Sequence, residues 1–124
     1  MQCAEHETGR LAMIILLEST ATPSQIQSML EEYGTMIKIA VDIRRHVLAG
    51  GGEMHADCEQ LLLEAGSEQD DIWGANWYPG DQRIEFEALI NIRPREGNRG
   101  IQIRDNETRR QVELVTRRIL GEAP

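Results

Sequence analysis

Ten residues, Gly50-Gly51-Gly52-Glu53-Met54-His55-Ala56-Asp57-Cys58-Glu59, bring together an imidazole, three carboxylates and a thiol behind three glycines. Imidazole and carboxylate are ligands for zinc and other divalent metals. A His–Asp pair can also move protons as general acid and base. The spacing argues against a metal. Residues at i and i+2 of a helix diverge, so only Glu53 and Asp57, at i and i+4, point together. No second His or Cys cluster completes a tetrahedral set. Glu53, His55 and Asp57 are therefore the catalytic candidates, with no metal and no cofactor expected. The structural alternative has the acids opposing a helix dipole and His55 bonded to a local carbonyl. Three glycines in a row imply unusual backbone angles or a close approach. They match neither GxGxxG nor a Gly-Lys-Ser/Thr loop, and the adjacent acids would repel phosphate. Cys58 falls on the apolar stripe of its segment and reads as a small buried hydrophobe.

A second constellation follows later in the chain. Arg93, Arg95, Arg99 and Arg104, with Asn91 and Asn98, suit an anion or a carboxylate-bearing partner. The alternative is a solvated loop pairing with acids of the same chain. Trp73, Trp77 and Tyr78 are three of the five aromatic residues. Strand parity puts both tryptophans in the core and Tyr78 on the opposite face, with Asn76, Glu85, Glu87, Asn91 and Arg93. The partner-binding candidates are thus Tyr78, Asn91, Arg93, Arg95 and Arg99. No serine sits in a GxSxG-like motif, and no nucleophile–base pair has a recognisable spacing.

These groups must be held by the elements around them. Leu11 to Leu17 is continuously apolar and reads as a strand buried on both faces. Thr22-Pro23 with Gln25 opens a helix as a capping box, with Ile26, Met29, Leu30 and Tyr33 as its stripe and Gly34 as its stop. Ile37 to Ile43 alternates as a half-buried strand, and His46 to Gly50 returns from a loop at Arg44-Arg45. Met54, Cys58, Leu61, Leu62 and Ala65 recur at helical spacing; a strand through Leu61–Leu63 is the alternative. Asp71–Tyr78 and Arg83–Arg93 read as a hairpin across Pro79-Gly80-Asp81-Gln82. If residues 78 and 83 pair, Trp73 and Trp77 share a face with Ile84, Phe86 and Ala88. Ile101–Ile103 reads as a short edge strand. Asp105 or Asn106 caps a last helix carrying Val112, Val115 and Ile119, with Glu113 and Arg117 able to pair. The order is β-α-β-β-α-β-β-α. It predicts an α+β class, a mainly antiparallel sheet covered on one face by three helices, with the other face open.

The 124 residues suit one domain, expected over 13–124 with an N-terminal extension at 1–12. The formal net charge is −8, which disfavours nucleic acid and anionic membranes as partners. The charge is uneven. Residues 1–90 hold five Lys/Arg against sixteen Asp/Glu, whereas residues 91–124 hold eight Arg against five acids. Two cysteines make no disulfide framework, and a reduced, cytoplasmic setting is the simpler expectation. The seven-residue apolar run at Leu11 is far short of the roughly 20 residues that span a bilayer.

Four blocks taken in order are more specific: MIKIAVDI (36–43), AGGGEMHAD (49–57), IWGANWYP (72–79) and LINIRPR (89–95). Together they resemble a small prokaryotic family, domain of unknown function 5674, from about Met13 to Leu120. The resemblance implies a bacterial or archaeal cytosolic protein. It carries no activity and no catalytic residue to these positions.

The leading expectation is a non-enzymatic module that binds a protein partner or itself through the open sheet face and the arginine loop. The alternatives are a small, metal-assisted hydrolase-like enzyme centred on Glu53, His55 and Asp57, and the regulatory partner of a toxin–antitoxin-like gene pair.

Overall fold

The computed structural model describes residues 14–121. Cys3, the extension at 1–12 and residues 11–13 of the Leu11–Leu17 run lie outside them. Five strands, β1 (Ile15–Leu17), β2 (Ile37–Asp42), β3 (Val47–Gly50), β4 (Ile72–Tyr78) and β5 (Arg83–Glu85), form one antiparallel sheet in the order β1-β3-β2-β4-β5. Three α-helices, α1 (Pro23–Met29), α2 (His55–Glu64) and α3 (Asn106–Thr116), complete the expected α+β class and element order.

Local chemistry explains the ends. Thr22 Oγ1 accepts from the Gln25 amide at 3.1 Å while Gln25 Oε1 accepts from the Thr22 amide at 2.9 Å, closing the capping box. The helix stops at Met29, sooner than the periodicity predicts. Tyr33 leaves the stripe for the surface, where its hydroxyl donates to the Glu53 carbonyl at 2.9 Å. Asp105 caps α3 by accepting from the Thr108 amide at 2.8 Å, and Val112, Val115 and Ile119 are buried as expected. A π-helical turn, Arg117–Gly121, extends α3, and Arg117 meets Glu113 at 2.8 Å. The β2–β3 loop is longer than two residues. It is organised by fully buried Asp42, whose Oδ1 accepts from the amides of Arg44 and Arg45 and whose Oδ2 accepts from the Ser67 hydroxyl at 2.5 Å.

The helices do not all lie on one face. Ile26 and Met29 of α1 and Val112, Val115 and Ile119 of α3 pack with Ile37, Ile39, Val41, Leu48, Trp73 and Trp77 on the first face. Cys58 and Leu62 of α2 pack with Ala40, Val47, Ala49 and Ile72 on the second. The expected open face is therefore largely covered, and the reason is visible in the strands. The central strands are apolar at both parities, and Ala40, Ala49 and Gly74 keep the second face low enough for a helix to dock.

The second hairpin pairs Tyr78 with Arg83 as expected, and both tryptophans enter the first-face core beside Ile84 and Phe86. The long strand to Arg93 does not form. β5 ends at Glu85, and Leu89–Asn91 makes a 3-10 turn instead. Ala88 crosses over Gly74 on the second face, so close that a Cβ at Gly74 would stand 2.5 Å from that of Ala88. The Asn91 amide then takes the place of a strand. Its Oδ1 accepts from the Gly74 amide at 2.8 Å, and its Nδ2 donates to the Gly74 carbonyl at 3.0 Å. The expected strand at Ile101–Ile103 reduces to a single bridge, Glu87 with Gln102.

Candidate functional site

The triple glycine carries the chain from β3 into α2. Gly51 and Gly52 have φ of 107° and 76°, left-handed values that side chains resist. A Cβ at Gly52 would also meet Ile14 Cγ1 at 2.7 Å. The Gly51 amide donates to the Lys38 carbonyl at 2.9 Å, and the Cys58 thiol donates to the Gly51 carbonyl at 3.3 Å. Burial, with Asp57 close by, pushes that thiol up to about 12, so it is inert as a nucleophile. Lys38 secures the turn from the sheet side by donating to the Glu53 carbonyl at 2.8 Å.

That turn aims His55 at the sheet. Two acceptors, Ala75 O at 3.0 Å and Asn76 Oδ1 at 2.8 Å, converge on Nε2, which therefore carries the proton. Burial lowers the His55 pKa below its ordinary value and Lys38 adds to this, against the two hydrogen bonds. The chain of polar contacts continues along the sheet. Asn76 Nδ2 donates to Glu85 Oε1 at 3.2 Å, the Tyr78 hydroxyl donates to the same oxygen at 2.9 Å, and Arg83 donates to Glu85 Oε2 at 3.1 Å. The Tyr78 hydroxyl holds the Glu85 carboxyl below the usual range, with Asn76 and Arg83 acting in the same sense. Tyr78 itself is raised, first by burial and then by Glu85.

The structure does not bring the three catalytic candidates together. His55 turns inward, while Glu53 and Asp57 are exposed. Among the described residues no three His, Cys, Asp or Glu side chains lie close enough to hold a metal ion. The arginine loop divides in the same way. Arg93 is held over the Trp73 ring at 4.2 Å and donates to the carbonyls of Asp70 and Ile72. Asn91 is fully buried, and Asn98 ties the loop by donating to Asn91 O at 2.8 Å and Gln102 O at 2.9 Å. Arg95 and Arg99 remain exposed. Tyr78 lines a separate cleft of about 420 Å³ with Leu30, Pro79 and Arg83, and the Arg83 guanidinium stacks on its ring at 3.8 Å.

What the second face leaves uncovered is a cleft of about 300 Å³. Met54, His55 and Ala56, at the start of α2, form one bank, and Leu89, Ile90 and Ile101 form the other. Lys38, Asn76 and Glu87 stand between them. The sequence singled out His55 and Glu87 but not Leu89 or Ile101. In the sequence Leu89 and Ile101 are indistinguishable from core residues, because their exposure depends on the 3-10 turn that replaces the expected strand.

Among the described residues no helix is long and apolar enough to cross a membrane. The family described as "Protein of unknown function (DUF5674)" matches residues 15–119, and the chain belongs to it. No curated protein and no solved structure matches the chain.

Proposed function

We propose that this DUF5674 member is a non-enzymatic binding module whose contact surface is the cleft between the start of α2 and the Leu89–Ile101 bank. Exposed Arg99, two residues before Ile101 in the chain, extends that surface. One observation carries the reading. Three large apolar side chains stay exposed around a single concavity: Met54 at 53%, Leu89 at 74% and Ile101 at 41%. Large apolar side chains left exposed side by side and rimmed by polar groups suit recognition of a protein surface. The reactive groups nearby are committed elsewhere. His55 donates into the sheet, the Cys58 thiol is buried, and the Ser67 hydroxyl serves Asp42.

Site-specific photocrosslinking in the host cell tests the reading. Benzoylphenylalanine in place of exposed Leu89 is expected to give a protein adduct. The same group in place of Arg110, on the exposed side of α3, is expected to give none. A chain that crosslinks to no protein from position 89 overturns the proposal.

A further inference from the structure

We infer that the occupant of the cleft is a second copy of this chain, docked about a two-fold axis that passes through the cleft. The inference rests on the reading of the cleft as a contact surface and names its partner.

The arrangement of charge around the apolar rim carries it. Glu53 and Asp57, both exposed, stand next to Met54 and Ala56 of the first bank in the chain. The opposite bank is flanked by exposed Arg99, and Ile101 also borders a groove that contains exposed Arg104. None of these four charged groups has an ion-pair partner among the described residues, although Arg44, Arg83, Arg110 and Arg117 each have one. Within one chain the acids and the arginines stand on opposite banks. A two-fold axis running lengthwise along the cleft exchanges the banks. The acidic bank of each copy then faces the basic bank of the other, twice over, while Met54, Leu89 and Ile101 of both copies close on one another. An isologous interface needs a patch of this kind, apolar at its centre with opposite charges on its two sides. The distribution along the chain agrees, since the acids concentrate before residue 90 and the arginines after it.

Sedimentation velocity on the purified full chain tests the pairing. The 14.0 kDa chain is expected to sediment as a dimer at micromolar concentration, and Leu89→Asp as a monomer with an unchanged circular-dichroism melt. A Glu53→Lys/Asp57→Lys variant and an Arg99→Glu/Arg104→Glu variant are each expected to dimerise at least tenfold more weakly. Mixed in equal amounts, the two are expected to form a heterodimer, because both contact sets are then opposite in sign. Three results each overturn the inference: a parent chain that stays monomeric at hundreds of micromolar, a Leu89→Asp variant that still dimerises, or mixed variants that fail to associate. A monomeric parent whose position-89 crosslink gives an adduct with a different protein removes the self-pairing and leaves the binding module standing. Absence of any adduct removes the module itself.

Discussion

His55 is part-buried at the foot of α2 with its Nε2 proton shared between two oxygens, and loss of hydration lowers its pKa from the ordinary 6.5. A base so depressed binds fewer protons folded than unfolded. The stability it contributes is present above about pH 6.5 and falls as pH drops below that value toward the folded pKa. His55→Gln is therefore expected to flatten the loss of stability below pH 6.5, measured as the difference between parent and variant urea midpoints across that range. An unchanged pH slope would contradict the partly desolvated, neutral imidazole. At this scale the sequence was informative about backbone and less so about partners. The three glycines announced a strained turn, and two of them adopt left-handed angles. The structural alternative for His55, a bond to a carbonyl, is what forms, but the carbonyl is Ala75, twenty residues away. No local spacing encodes a partner supplied by another strand.

The element between Glu85 and Ile101 is held by amides rather than by strand pairing. Asn91 satisfies the Gly74 amide, the Gly74 carbonyl and the Ile101 carbonyl at 2.8, 3.0 and 3.0 Å. Asn91→Leu leaves the Gly74 amide and carbonyl buried without partners, while the Ile101 carbonyl keeps the Ala88 amide at 3.0 Å, and is expected to cost about 2–5 kcal/mol. Chemical denaturation measures it, and a loss below about 1 kcal/mol would show that the loop is tied some other way. Helix positions were legible because capping and 3.6-residue periodicity are local signals, as at Thr22, Asp105 and the Cys58–Leu62 stripe. The side on which α2 docks was not. Ala40, between Lys38 and Asp42 on the alternate positions of β2, and β3 with apolar residues on both of its faces were the available signs of a sheet covered twice. The end of β5 was also hidden, since it depends on Gly74 lacking the side chain that would keep Ala88 away.

For the whole molecule, a sheet with separate cores above and below it implies two packing units that share one floor. Leu62 belongs to the second-face cluster and Val112 to the first. Leu62→Ala is expected to cost about 2–5 kcal/mol by cavity formation. Val112→Ala is expected to cost about 2 kcal/mol, the full burial of a valine side chain being worth roughly 1.5–3 kcal/mol. The double variant should match the sum within about 0.5 kcal/mol, because the sites share no neighbours. Calorimetry on the four chains checks this, and a large departure from additivity would mean that the sheet transmits strain between its faces. The border of that sheet beyond β5 has a consequence of its own. There the backbone groups of Gly74 and Ile72 are engaged by the side chains of Asn91 and Arg93. A border sealed by side chains offers no template for a foreign strand, so templated addition is blocked along the stretch of β4 that β5 leaves unpaired.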